Sequence, residues 1–117
     1  MAYVDGFLLP VPKKNLALYK KMAKWGARLW KKHGALQYRE CVLDDPKTPC
    51  GIPFTKVVKA KPGETVFFSY IVYKSRAHRD KVNKAVMADP AMNVMPKKMP
   101  FDPKRMAYGG FRVFVEA

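Results

Sequence analysis

The sequence predicts an α+β fold, a ferredoxin-like βαββαβ domain with an antiparallel sheet. The order of strand-like and helix-like segments contains two β-α-β halves, each with its own crossover helix. The strand-like segments are apolar on both faces, so the sheet needs a cover on each side. The chain has 117 residues, about the length of one domain, and no linker or low-complexity stretch divides it. We therefore treat residues 1–117 as a single domain.

The composition excludes several classes of protein. Hydrophobic residues make up 49% of the chain, which excludes a disordered basic tail. No run of about 18 uncharged apolar residues occurs, so no membrane span is expected. The first residues lack the basic and then apolar pattern of a secretory signal. Cys41 and Cys50 are too few for a disulfide scaffold and are expected to be free thiols, so we expect a soluble, cytoplasmic protein.

The first half of the chain begins with a strand and a long helix. Residues 2–9 are rich in aromatic and branched side chains and predict a strand closed by Pro10 and Pro12. Residues 13–33 predict a helix with Gly34 as its C-cap. One wide side of this helix carries apolar residues: Leu18, Tyr19, Met22, Ala23, Trp25, Leu29 and Trp30. The opposite arc carries eight cations: Lys13, Lys14, Lys20, Lys21, Lys24, Arg28, Lys31 and Lys32.

The middle of the chain predicts three further strands. The first covers residues 35–43, and a proline-rich loop follows it. The other two, residues 54–60 and 65–73, are predicted to pair as a hairpin. Residues 61–64, Lys-Pro-Gly-Glu, fit a type II turn between them, with proline and glycine at the two central positions.

The last part of the chain predicts two helices and a strand. Ser75 is a suitable N-cap for a helix over residues 76–88. The pair Asp89-Pro90 fits the cap and first position of a short helix near residues 91–95. Residues 106–115 predict the final strand.

Both faces of the predicted sheet are apolar, and this has a consequence for assembly. Between residues 66 and 73, one face carries Val66, Phe68, Tyr70 and Val72, and the other carries Phe67, Ser69, Ile71 and Tyr73. Two helices cover only one face, and each large apolar side chain left in water forgoes about 1.5–3 kcal/mol. We therefore expect a homodimer, either ligand-binding or purely structural, with a single-stranded nucleic acid as the alternative cover.

The nucleic-acid alternative rests on a partial likeness to the RNA-recognition motif. That motif stacks bases on aromatic side chains of its two central strands, and Phe68, Tyr70 and Tyr73 fall on such positions. The net charge of +14 suits phosphate binding. Against it, the basic residue and glycine that open the motif are absent, and Asp5 places a negative charge beside the stacking surface.

Asp5 stands out because it is a carboxylate in the middle of an apolar strand. A buried carboxylate needs a partner. We assign Asp5 to the dimer face, where Arg112 on the last strand would share its side of the sheet. The sequence therefore predicts an ion pair between Asp5 and Arg112, within one protomer or across two.

Small residues in the middle of the strands suggest a ligand pocket on the helix-covered face. Gly6, Ser69 and Gly109 would leave space where the helices pack. The aromatic and sulfur side chains that would line it are Tyr19, Met22, Trp25, Trp30 and Tyr73. The alternative is that the glycines allow close helix packing and the aromatic rings fill the core.

No motif in the sequence identifies a reaction, so whether the protein is an enzyme stays undecided. His33 and His78 have no second ligand at metal-binding spacing, so neither a metal nor a cofactor is expected. Phosphate-loop, dinucleotide-binding and nucleophile-elbow motifs are absent. The cations of helix 13–33 would suit a nucleic acid or an anionic membrane surface, and a solvated outer face is the alternative.

Several segments, taken together, resemble a known family. They are residues 3–7 (Tyr-Val-Asp-Gly-Phe), 34–36 (Gly-Ala-Leu), 40–41 (Glu-Cys), 87–92 (Met-Ala-Asp-Pro-Ala-Met) and 99–111 (Met-Pro-Phe-Asp-Pro-Lys-Arg-Met-Ala-Tyr-Gly-Gly-Phe). The chain resembles the bacterial YbaA-like family, a domain-of-unknown-function family of small proteins. This resemblance implies a dimeric α/β-barrel, in which two ferredoxin-like sheets pack face to face. It assigns no activity and no catalytic residue.

Overall fold

A computed structural model describes residues 1–94 and 98–117. Four antiparallel strands form one sheet in the order β2-β3-β1-β4. The strands are β1 (Tyr3–Pro12), β2 (Gln37–Val42), β3 (Glu64–Tyr73) and β4 (Ala107–Arg112). The α-helices are α1 (Leu16–Lys32), α2 (Phe54–Val57) and α3 (Arg76–Ala88), and three 3-10 turns cover Lys13–Asn15, Pro90–Val94 and Pro103–Arg105. The fold is α+β, as predicted.

Local signals set the boundaries of the long helices. Ser75 caps α3, because its hydroxyl accepts a hydrogen bond from the backbone N–H of His78 at 3.1 Å. Gly34 has a φ of 110°, which lets the chain leave α1 sharply. The helix predicted over residues 13–33 begins later, because a 3-10 turn precedes α1. The short helix predicted near residues 91–95 is a 3-10 turn, and residue 95 lies outside the described residues.

β1 is longer than predicted and contains both prolines that were expected to end it. Its even-numbered residues direct their backbone groups toward β4, as the bond from the Val113 N–H to the Ala2 carbonyl shows. β4 pairs with β1 only as far as Leu8. Pro10 and Pro12 therefore lack an N–H on a side of β1 that β4 no longer reaches, and the strand tolerates them.

β4 is shorter than the strand predicted over residues 106–115. It ends at Arg112, which stands opposite Tyr3, the first residue of β1. The residues that follow have no strand position left to pair with, although the Val113 N–H still bonds to Ala2 at 3.0 Å. Phe114 and Val115 consequently lie exposed beyond the sheet.

Residues 54–60 are not a strand, which corrects the predicted hairpin. They begin with α2, and β3 is already paired along both edges, with β1 on one side and β2 on the other. No edge of β3 is left for a further strand. The predicted type II turn is confirmed, because Gly63 has a φ of 83° and the Glu64 N–H donates to the Lys61 carbonyl at 3.0 Å.

The register of β1 and β3 sorts their side chains onto two faces. α1 and α3 pack against the odd-numbered residues: Tyr3, Phe7, Leu9, Val11, Phe67, Ile71 and Tyr73. The opposite face carries Val4, Leu8, Phe68, Tyr70, Val72 and, from β4, Phe111. α2 covers only one end of it, where Phe54 stacks on Phe68 with ring centroids 6.5 Å apart. We call this second face the open face.

None of the helices in the described ranges is long and apolar enough to cross a membrane.

Arg105 ties the start of β3 to the segment that leads into β4. Its two terminal nitrogens donate to the two carboxylate oxygens of Glu64 at 2.6 and 2.8 Å, and one of them also donates to the Lys59 carbonyl at 2.9 Å. The Lys61 N–H donates to the same carboxylate at 2.7 Å. The hydrogen-bonded Arg105 guanidinium lowers the pKa of Glu64 from 4.5 to about 2, against an opposing effect of burial.

We expect the substitution Glu64→Gln to lower the free energy of unfolding by about 1–2 kcal/mol near neutral pH. Because the folded pKa of Glu64 lies below its unfolded value, its stabilisation is present above pH 4.5 and is lost as the pH falls toward 2. Chemical denaturation of both proteins should therefore show the gap closing over that range. A gap of constant size down to pH 2 would contradict the role of this ion pair.

Candidate functional site

A cavity of about 390 Å³ lies between the helices and the helix-covered face of the sheet. Its walls are mostly apolar and aromatic. They include six residues that the sequence analysis placed in or around a pocket: Tyr19, Met22, Trp25, Trp30, Ser69 and Tyr73. They also include polar residues that it did not single out for the pocket: Asp5, Tyr38, Glu40 and Asn83. The cavity therefore combines a large apolar volume with a few polar groups, the usual make-up of a ligand site.

Gly6 and Gly109 do not line this cavity, although they were expected to. Gly6 occupies an even-numbered position of β1, and Gly109 stands directly opposite it on β4, so both lie on the open face. The ring of Phe111 lies over both, 3.6 Å from a Cβ placed at Gly6 and 3.3 Å from one placed at Gly109. The space these glycines create is filled by Phe111, and only Ser69 of the three small residues faces the helices.

Glu40 is the centre of a hydroxyl cluster in the cavity wall. Tyr19 donates to its Oε1 at 2.7 Å and Tyr38 donates to its Oε2 at 2.9 Å. Ser69 also donates to Oε1. Burial, together with the adjacent Glu40 carboxylate, raises the pKa of both phenols, so they remain protonated donors across the physiological range. Three neutral hydroxyls thus hold one carboxylate.

The fold brings these four residues together from three elements. Tyr38 and Glu40 alternate along β2 and share its helix-covered side, and Ser69 stands directly opposite Glu40 on β3. Tyr19 reaches the carboxylate from α1. Gly26 makes room for Tyr38, since a Cβ at residue 26 would come within 2.9 Å of the phenol oxygen. A glycine inside α1 is therefore required by the site rather than by the helix.

Glu40 was not predicted as a site residue, although one signal for it is present in the sequence. A glutamate two residues after a tyrosine in a predicted strand places both side chains on one face. The other two residues that donate to Glu40 are Ser69 and Tyr19. They could not be assigned without the β2–β3 register and the packing of α1 on the sheet.

Asp5 pairs with Arg79 of α3, which corrects the predicted partner and the predicted face. The Asp5 side chain is 2% exposed, lies on the helix-covered face and accepts a hydrogen bond from Arg79 at 2.7 Å. Gly110 stands opposite Asp5, whereas Arg112 stands opposite Tyr3. Burial raises the pKa of the Asp5 carboxyl, and the Arg79 guanidinium offsets part of that increase. Within the chain, α3 rather than the last strand supplies the countercharge.

Asn83, on the same helix as Arg79, accepts two hydrogen bonds from residues of the cavity wall. Its Oδ1 accepts hydrogen bonds from Trp30 at 3.1 Å and from the phenol of Tyr73 at 3.3 Å. Burial, reinforced by the nearby Asp5 carboxylate, raises the pKa of Tyr73. The indole N–H of Trp30 and the phenol O–H of Tyr73, both in the cavity wall, are therefore already hydrogen-bonded within the protein.

The two histidines lie apart from the cavity wall. His33 contacts the Asp89 carboxylate at 2.7 Å, and His78 accepts the Lys74 N–H at 3.0 Å. Over residues 1–94 and 98–117, no group of three or more His, Cys, Asp or Glu side chains could hold a metal ion. Cys41 and Cys50 are free and exposed.

The open face and the basic helix bear on the nucleic-acid alternative. Phe68 and Tyr70 lie on the open face, whereas Tyr73 is fully buried on the helix-covered face. These three rings therefore do not form one stacking surface. The eight cations of the predicted helix are all exposed. Within the described ranges, only Lys32 among them forms a salt bridge, with Asp89 at 2.9 Å. A polyanionic partner for this helix stays a prediction.

We expect Arg79→Leu to destabilise the protein by about 3–5 kcal/mol, because it leaves the Asp5 carboxylate buried without its countercharge. The double variant Asp5→Asn with Arg79→Leu removes that charge and should recover part of the loss. Because Arg79 lowers the pKa of Asp5, its removal raises that pKa further, and protonation of Asp5 as the pH falls toward its unfolded value of 3.8 removes the unpaired buried charge. The defect of the single variant should therefore shrink in acid. An equal loss in both variants by chemical denaturation would refute this explanation.

Comparison with known proteins places the whole chain in one group. The family described as "Protein of unknown function (DUF1428)" matches residues 2–103. The chain is 42% identical over 116 residues to the "Uncharacterized protein YbaA" of Escherichia coli (strain K12), covering 99% of each chain. The same values hold for the protein of that name in Shigella flexneri.

Among solved structures, the "De novo designed protein Foldit4" aligns with a TM-score of 0.41 and 9% identity, covering 99% of this chain and 100% of that chain. That likeness is too distant to indicate a common fold. The sequence matches extend over almost the whole chain, and they show that it belongs to the DUF1428 family of proteins of unknown function.

Proposed function

We propose that the protein is a cytoplasmic homodimer that binds a small molecule in the cavity between its helices and its sheet. The cavity carries the proposal, because 390 Å³ is a volume typical of ligand sites. A close-packed core of this size would contain few voids larger than a water molecule. The polar groups of Glu40 and Asn83 in an otherwise apolar wall would orient the ligand.

We further infer that the fold is ferredoxin-like and that the dimer is an α/β-barrel. The order β2-β3-β1-β4 with antiparallel neighbours, and crossover helices α1 and α3 on one face, support the first inference. The open face supports the second, since Phe68 is 48% and Phe111 is 63% exposed there. A stable dimer buries about 1,200–2,000 Å² of surface in total. The exposed apolar face of the four-stranded sheet is suited to form such an interface.

Ligand binding is tested by filling the cavity from one wall. Ala23 lines the cavity and Ala17 is an exposed residue of the same helix. We expect wild-type protein and Ala17→Phe to bind the neutral probe 2-phenylethanol in about the millimolar range, with Ala23→Phe at least tenfold weaker. Trp25 and Trp30 line the cavity and are the two tryptophans of the chain, so intrinsic fluorescence reports binding. Equal binding by both variants, each with an unchanged melting temperature, would refute the proposal.

The dimer is tested by a charge on the open face. We expect Phe68→Asp to shift the protein from dimer to monomer in size-exclusion chromatography with light scattering, because the carboxylate would be buried at the interface. The control is Val94→Asp, which places the same charge on another exposed apolar residue, in the 3-10 turn after α3. A monomeric wild-type protein at about 100 μM would contradict the dimer, since obligate interfaces hold below that concentration.

A further inference from the structure

We propose that the cavity selects cationic ligands, and that its ligand is a compact, largely apolar organic amine bound in the protonated form. This inference rests on the proposed ligand-binding function and adds to it the charge and chemical class of the ligand. It follows from the charge balance of the wall, from its aromatic rings and from the donors that the wall has left.

The charge of Glu40 has no countercharge in the described part of the chain. Its hydrogen-bond donors are the neutral hydroxyls of Tyr19, Tyr38 and Ser69, and no Lys, Arg or His among the described residues forms a salt bridge with it. Asp5, the other carboxylate of the wall, is neutralised by Arg79. Among the described wall residues, Glu40 thus carries a negative charge that has no ion-pair partner, in a chain with a net charge of +14. A bound cation would complete the site.

Aromatic rings line the same cavity as this carboxylate. The rings of Trp30 and Tyr38 lie with centroids 6.3 Å apart, and those of Tyr19 and Phe101 lie 5.8 Å apart. All four residues belong to the cavity wall. The faces of such rings attract an ammonium group and repel an anion. The rings and Glu40 therefore favour the same sign of charge.

The cavity wall has a hydrogen-bond acceptor available for a cation but few free donors for an anion. Glu40 Oε2 accepts one hydroxyl, from Tyr38, whereas Oε1 accepts two. Oε2 accordingly has capacity for one ligand N–H. The hydroxyls around Glu40 and the donors that reach Asn83 are already used within the protein, and the Asn83 side-chain amide interacts with the Asp5 carboxylate, whose pKa it lowers. Arg39, the cationic residue of the described wall, is exposed to solvent, where its charge is screened.

Three probes of matched shape and different charge test this inference on the full chain. They are 2-phenylethylamine, which is cationic at neutral pH, the neutral 2-phenylethanol and the anionic 3-phenylpropionate. Calorimetry and tryptophan fluorescence measure each dissociation constant. We expect the amine to bind about tenfold more tightly than the alcohol, and the anion to bind most weakly. The protein's net positive charge favours the opposite order, so the preference would have to come from the cavity.

The substitution Glu40→Gln removes the charge with little change of shape. We expect the advantage of the amine over the alcohol to fall from about tenfold to less than twofold, with the affinity for the alcohol changed less than twofold. Retained alcohol binding shows that the variant is folded with its cavity intact. The control Glu116→Gln removes a charge from the exposed end of the chain and should leave the order of the three probes unchanged. Should Glu40→Gln fail to fold, the ranking in wild-type protein decides by itself.

The outcomes separate this inference from the proposed function. If none of the three probes binds, the proposed ligand-binding function is wrong. If the alcohol binds as tightly as the amine, or the anion binds most tightly, the cavity binds ligands but does not select cations, and the inference is overturned. If the amine retains its tenfold advantage in Glu40→Gln, the selection does not come from this carboxylate, and the inference is likewise overturned.

Discussion

The pairing of β1 with β3 is the interaction on which the rest of the structure depends. The two central strands pair over ten residues, from Tyr3 opposite Tyr73 to Pro12 opposite Glu64. Because side chains alternate along a strand, this register decides which face each residue occupies, and a slip by one position would exchange the two faces. Asp5, Ser69 and Tyr73 face the helices only in this register. The cavity and the open face are therefore two consequences of one alignment.

The apolar side chains on the two faces of the sheet are covered in different ways. α1 and α3 cover one face but do not fill it, because a cavity of about 390 Å³ remains between them and the sheet. The other face carries Phe68, Tyr70 and Phe111, and within the described residues only α2 packs across its end. An apolar surface of this kind favours a partner. In our proposal, one face supports ligand binding and the other supports assembly, so either can be altered without the other.

Local chemistry predicted much of the fold, and long-range pairing limited the prediction of the site. Three features depend only on neighbouring residues and were therefore predictable from the sequence: the Ser75 cap, the turn at Gly63 and the strand before Ser75. The strand expected over residues 54–60 failed because pairing on both edges of β3 is a property of the whole sheet. The partner of Asp5 lies 74 positions away on α3, and Glu40 acquires its role only when β2, β3 and α1 meet. Alternation of residues along a strand indicates which side chains share a face, but it does not name their neighbours on other elements.

The most direct test of the central claim, that the space beneath α1 and α3 is a binding site, is a methyl spectrum of protein labelled at methionine. Met22, Met87, Met92 and Met106 line the cavity from several elements, whereas Met1 is exposed outside it. On titration with 2-phenylethylamine, our account predicts saturable shifts of those four methyl resonances, with the Met1 resonance unchanged. Shifts absent from all four, in protein that binds the probe by calorimetry, would place the ligand elsewhere and contradict the account.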